Sequence, residues 1–526
     1  MYIAYSPDKI HKDIGQTWQL VIDDDLVAVV KNVTRRQHTP TKHSANPIIK
    51  RDQEWEEIPY FRSCSFNVHR DPEDNLFKCW YEDYYDYFGY QMGNTDQPPL
   101  GSRICYAVSK DGLTWEKPLL GRHKVDGQDT NTVIVTPDED GVRTLLPSIL
   151  LDGHEEDQSR RYKMVSLRHG GDGSGIAPGE QRVKASGAGR GLSLAFSENG
   201  LDWTPFDGNP LIPEWAADVQ VLTYDRQDAL YVLWGRYGDS AGEAWHPDFD
   251  HWFSPVWPSK PEGIWGTRRR VWRLESTDLV NWSPAQLIFE PGADDNLDDG
   301  HYSFVPWRAG EMHLGLLNVL HQVDDTLDTY LLHSRDGRQW NRFMEHRPFI
   351  PRGDEGSFDA LDIETTVQPI VVGDELWFYY GGMNVHHDWW IVGRGEGLDV
   401  PEAHDRKYAA DGHHLGLATL RYDGYVSLDA GVREGFIETK PVLATGEHLF
   451  INARCEPDGF IEVEVMDPWN GVWEGFTRDA CTTFAGDDIR HRVVWTGGAV
   501  GTLKGAVKFR IHLKKASFYG FQIANA

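Results

Sequence analysis

Acidic residues recur at one fixed distance from a turn. Asp218, in WAADVQV, lies ten residues before the turn residue Asp228, and Glu364, in DIETTVQP, lies ten before the turn residue Asp374. A third segment, LDDGHYSF, puts Gly300 at that offset from Gly310, with Asp299 and His301 on either side. A fourth puts Cys64 there, near Arg62, and a looser fifth offers Pro147–Ser148. Equal offsets predict equivalent places on separate strands, so Asp218, Glu364 and Asp299 are expected to converge. Such a trio suits cleavage of a glycosidic bond: one acid protonates the leaving oxygen, and a second carboxylate attacks the sugar or activates water. A third raises the acid's pKa by like-charge repulsion. The expected roles are Glu364 as general acid, Asp218 as nucleophile or base, and Asp299 as modulator or sugar-hydroxyl ligand. His301, Arg62 and Asp362 are expected to bind substrate, and Glu56 is a further candidate acid. The competing reading is that acids at strand starts cap loops, and 81 acids make coincidence common.

Positioning these residues requires a repeated element, and the sequence contains one. SKDGLTW, SENGLDW, STDLVNW and SRDGRQW, starting at Ser109, Ser197, Ser276 and Ser334, share Ser, an acidic or polar residue, a turn residue and a Trp. Asp-Gly or Asn-Gly supplies the positive φ of a tight turn, and the Trp packs under a sheet. Between them runs a second unit, a strand, a polar turn and an aromatic strand, as in NVHRDPEDNLFKCWYE, VLTYDRQDALYVLWGR, VPWRAGEMHLGLLNV and PIVVGDELWFYYGG. SILLDGHEEDQSRRYKMVSL is a looser fifth copy. Five such units, without a sustained helical period, predict an all-β chain built as a five-bladed β-propeller over residues 1–425. Residues 1–50 hold an entry strand and loop, in which Trp18–Asn46 wraps the first blade. GFIEVEVMD, RHRVVWTGG and VKFRIHLKKASFYGFQI alternate differently and predict a C-terminal antiparallel β-sandwich over 426–526.

Composition narrows the partners. A net charge of −29 repels nucleic acid and anionic lipid. The polar start and the lack of a long apolar run predict a cytoplasmic protein without membrane contact. Five scattered cysteines read as free thiols. Three aromatic-rich segments after strands are candidate sugar platforms: HHDWW with His386, Trp389 and Trp390, WHPDFDHWFSPVWP with Trp252, and DYYDYFGY. The bland alternative is that these rings cover the sheets, and an aromatic rim leaves a homo-oligomer open. The pairs His386–His387 and His413–His414 would point to opposite faces of a strand, so no catalytic metal is expected. GTRRRVW, with Arg268, is a basic cluster suited to phosphate or a substrate carboxylate, or else a solvated strand edge.

The chain resembles the five-bladed β-propeller glycosidases, the superfamily of glycoside hydrolase families 32, 43, 68 and 130, and most nearly a family 32-like branch. TKHSANPIIK (Thr41–Lys50), the four turns, GDELWFYYGG, HHLGLATLRYDGYVSLDAG and the ending KASFYGFQI carry the likeness, over nearly the whole chain. The resemblance implies a hydrolase of small oligosaccharides or glycosides, exo-acting, with furanosides such as fructosides or arabinosides favoured. It implies no cofactor, and leaves a structural Ca²⁺ on the propeller axis open. The rivals are a glycoside phosphorylase or transglycosylase and a non-catalytic glycan-binding propeller. The family 32 nucleophile motif, with its Asn-Asp-Pro-Asn core, is missing: FRSCSFNV (Phe61–Val68) holds no carboxylate.

Overall fold

A computed structural model describes residues 11–85, 101–136, 142–170, 191–213, 219–236, 269–296, 298–343, 347–392 and 398–525. Their regular secondary structure is nearly all strand, with helices no longer than five residues. Among the described residues no helix is long and apolar enough to cross a membrane.

The strands follow the sequence units as antiparallel meanders. The first runs Phe66–Arg70, Phe77–Tyr85, Gly101–Ser109 and Thr132–Thr136, the second Val142–Leu151, Tyr162–Gly170, Gly191–Ser197 and Thr204–Pro205. The third runs Gln220–Asp225, Leu230–Gly235, Val271–Ser276 and Gln286–Phe289. The fourth begins with Asp299–Ala309, Met312–His321 and Thr326–Ser334, and the fifth contains Asp362–Glu364, Ile370–Val372, Glu375–Met383 and His413–Arg421. The fourth and fifth share one sheet through a parallel bridge, Leu327 to Asp362.

Each Ser-x-Asp turn closes on itself. Ser109 Oγ accepts the Gly112 N–H at 2.8 Å, Asp111 accepts those of Leu113 and Thr114, and Trp115 Nε1 donates to the Gly112 carbonyl. The other three copies repeat the Trp bond, from Trp203, Trp282 and Trp340. The turn needs a left-handed residue: Gly112 has φ +74°, and Leu279 occupies the same place at +66° without a glycine's freedom.

Side chains then link neighbouring meanders. Trp80 donates to the Gly200 carbonyl (2.7 Å), Tyr231 to Asp152 (2.6 Å) and Arg273 to the Gly337 carbonyl (2.8 Å). Gln368 donates to the Pro306 carbonyl (2.6 Å) and Tyr379 to the Gly112 carbonyl (3.0 Å), which returns the chain of contacts to the first meander.

The entry segment lies elsewhere than expected. Gln19–Leu20, Val27–Lys31 and Thr34–Gln37 join a C-terminal sheet, pairing with Lys508–Ala524, Gly435–Thr439 and Val426–Ala430. Thr41–Lys42 then pairs with His413–Arg421 of the fifth meander, not with the first. An open strand edge needs a partner for its N–H and C=O groups, and this segment supplies one to both regions. The C-terminal sheet is organised around the long pair His448–Met466 and Lys508–Ala524.

Candidate functional site

The inner strands break regularity where they meet. In the first meander Phe61–Ser65 is irregular, with Ser63 at φ +56°, and the strand starts only at Phe66. Leu146 in the second has φ +54°, and the ladder slips between Leu145 and Ser148. The fourth slips between His301 and Ser303, and in the fifth Glu364 is separated from Ile370–Val372 by an irregular stretch. Bulges of this kind re-aim side chains.

They also change what the ten-residue offset means. Glu364 faces Gly381, six residues into its partner strand from Glu375, whereas the residue six beyond Met312 is Asn318, which faces Ser303. The fourth-meander counterpart of Glu364 is therefore Ser303, not Asp299, and Ser303 Oγ donates to Glu364 Oε1 at 2.8 Å.

Glu364 is fully buried, and its Oε2 accepts the Ser63 backbone N–H at 2.9 Å. Burial pushes its pKa up to about 7, and the neighbouring Asp362 adds to the rise. Asp362, two residues earlier on the same face, is also fully buried and ion-paired with Arg62. Burial pushes it up to about 6 although the guanidinium opposes. Arg62 also donates to the His387 carbonyl. Tyr302 completes the group: its hydroxyl lies 3.2 Å from Ser63 Oγ, with the guanidinium carbons of Arg236 and Arg269 at 5.0 and 5.1 Å from its ring. The arrangement offers a carboxyl that titrates close to neutral pH beside a second carboxylate with a fixed counter-ion.

Asp299 is engaged otherwise. It sits 2.6 Å from His321 Nδ1 and accepts the Asn296 N–H, while His321 Nε2 lies 3.1 Å from Asp328, itself paired with Arg352. Burial works against the charge on His321, but the two carboxylates outweigh it and push its pKa up to about 9. Burial would raise Asp299 too, yet His321 holds it below the usual range. His301 belongs to another group, with Arg342 at 2.7 Å and Asp295 at 3.6 Å from its Nε2. Glu56 is spent on Lys117, Tyr81 and two backbone N–H groups.

The aromatic run divides. Trp389 is half-buried, stacks on His386 at 3.9 Å, and His386 contacts Glu402. Trp390, expected on a sugar-binding loop, is core instead: it is buried against Tyr60 and His413, and its Nε1 donates to the His387 carbonyl at 2.9 Å. The two begin a short helix, Trp389–Val392, which turns successive side chains apart. Asp218, Trp252 and Arg268 lie outside the described residues.

Sequence reasoning missed Ser63, Ser303 and Tyr302, whose roles depend on bulges. It also missed the buried Glu82, held by Ser65, Ser102 and the Leu146 N–H and pushed up to about 7 by burial. Consecutive acids inside the aromatic strand CWYEDYY were the available signal.

No family model and no curated protein sequence matches the chain. Among solved structures it is similar to a member of the GH130 family of mannoside phosphorylases, described as containing glycoside hydrolases that target β-1,2 mannosidic linkages in Candida mannan. That match has 15% identity and a TM-score of 0.44, over 77% of this chain and 96% of that one. It is similar also to a glycosyl hydrolase from Bacteroides ovatus, at 14% identity and TM-score 0.43, over 73% of this chain and 94% of that one. A family 43 arabinoxylan arabinofuranohydrolase from Bacillus subtilis aligns over 93% of this chain and 99% of its own, at 10% identity and TM-score 0.39.

Proposed function

We propose that the chain is a glycosidase whose five meanders, within 1–425, are the blades of a β-propeller, followed by a β-sandwich (426–526) that the entry strands between Gln19 and Gln37 join. The observation that carries the reading is Glu364: a fully buried carboxyl, oriented by two hydrogen bonds and pushed up to about 7, keeps a proton to give at neutral pH. Asp362, tied to Arg62, maintains a negative charge beside it, and Asp218 is the proposed nucleophile or base. The half-buried Trp389 offers a ring face to a sugar. The substrate is a small oligosaccharide or glycoside cleaved from one end, with fructosides and arabinosides first on the panel. Five cysteines outside any disulfide suit a reducing cytoplasm.

Phosphorolysis is the second reading, and Arg236 and Arg269, both close to the Tyr302 ring, favour it, since guanidinium groups bind phosphate. Product chromatography separates the two. Purified protein is incubated with fructosides, arabinosides and common disaccharides, with and without phosphate, beside Asp218→Asn and Glu364→Gln. Free sugar without phosphate, lost in both variants, supports the hydrolase; sugar phosphate moves the assignment to a phosphorylase. Sugar binding without turnover on any substrate would leave a glycan-binding propeller.

A further inference from the structure

Asp325, His387 and Asp388 form a group that the glycosidase reading does not use. Asp325 sits in the turn between the second and third strands of the fourth meander, and the other two lie just beyond Met383 of the fifth. One ligand atom from each lies within 4.8 Å of the others. His386 and His387 do not alternate on a strand, the arrangement expected to keep a metal out; His387 lies in a turn, with its N–H donated to the Asp325 carbonyl at 2.8 Å.

The decisive side chain is His387. It is 3% exposed, and its Nε2 has no hydrogen-bond partner among the described residues. Its Nδ1 is 2.9 Å from Asp388 Oδ1, within ion-pair reach. Buried polar groups are ordinarily satisfied, so a buried imidazole in this state points to a missing ligand. Asp325 has a local task, since its Oδ2 accepts the N–H groups of Asp388 (2.6 Å) and Trp389 (3.0 Å). That task fixes the carboxylate and leaves Oδ1 for a further bond. It does nothing for the His387 ring.

We propose that Asp325, His387 and Asp388 bind a divalent first-row transition-metal ion. The donor set selects the class: an imidazole nitrogen suits zinc, iron, nickel or copper, whereas calcium and magnesium take oxygen ligands. Three protein ligands leave coordination positions for water or a sugar hydroxyl. The site adjoins the Glu364 group through two contacts, Arg62 to the His387 carbonyl and the Tyr302 ring at 4.9 Å from the His387 ring.

The test does not depend on any sugar being cleaved. Untagged protein, purified without chelator, is analysed for metals by plasma mass spectrometry, then stripped and titrated with Co²⁺, Zn²⁺, Mn²⁺ and Ca²⁺. Cobalt d–d absorption and thermal shift are read for wild type, His387→Gln and Asp325→Asn. The expected result is stoichiometric transition metal in wild type, with the cobalt bands and the metal-dependent thermal shift lost in both variants while circular dichroism is unchanged. Wild type that neither carries nor binds a transition metal, a response to Ca²⁺ alone, or cobalt bands that persist in folded variants would each overturn the site. An inactive protein that binds cobalt fails the glycosidase reading and keeps this one; an active, metal-free protein does the reverse.

Discussion

The inner strands of the fourth and fifth meanders both begin with buried acids, and the two neighbourhoods treat them oppositely. Asp299 meets His321, which meets Asp328, which meets Arg352, so each charge has a partner of opposite sign. Glu364 meets a backbone N–H and a hydroxyl, both neutral, and the nearest ion pair is already closed between Asp362 and Arg62. Burial costs both acids solvation; His321 in direct contact with Asp299 outweighs that cost, whereas Arg62, spent on Asp362, offsets it only in part for Glu364. An acid neutralised by counter-charge is fixed in one protonation state. One left in a neutral pocket can hold a proton near pH 7 and release it, which is what a general acid must do.

The largest expected effect sharpens this contrast. Glu364→Gln should lower turnover by roughly 10²–10⁴-fold, the usual range for a lost general acid, while Asp299→Asn leaves most of it. In wild type the rate should fall as pH rises through about 7, where Glu364 loses its proton. A turnover loss that ranks Asp299 above Glu364 would reverse the assignment.

Stability probes the same divide. Arg62→Met strands Asp362 as a buried, uncompensated charge and should cost about 3–5 kcal/mol in urea denaturation at pH 8, a loss that the double variant Arg62→Met/Asp362→Leu largely recovers. Glu364 has a folded pKa above its ordinary 4.5, so its contribution is fully present below 4.5 and is lost as pH rises through about 7. Glu364→Gln should therefore be more stable than wild type at pH 8, by about 1–3 kcal/mol. His321 is raised from 6.5 to about 9; its contribution is complete below 6.5 and lost as pH rises through 9. His321→Gln should flatten that higher window and leave the lower one, as followed by denaturant midpoints against pH. Smallest is Trp389→Ala, expected to weaken sugar affinity by about 0.5–1.5 kcal/mol in calorimetry with little change in melting temperature.

Turn chemistry is local, and the sequence alone determined it. A Ser, an acidic or amide side chain and a left-handed residue close within six positions, so the four Trp turns, the strand units between them and the all-β character were legible before any contact was known. Glu364 was reached by counting ten residues back from the turn at Asp374, and Asp362 as its neighbour in the same segment. The tertiary structure alone decided what those acids face. Bulges at Ser303 and beyond Glu364 shift the ladder, so counting residues does not measure depth along the strand. Arg62 reaches Asp362 across 300 residues of chain, and His321 reaches Asp299 from the neighbouring strand. The entry segment likewise chose the edges of the fifth meander and the C-terminal sheet, because open strands there needed partners. Desolvation and counter-charge are properties of the assembled neighbourhood, and they separate an acid that works from one that is held.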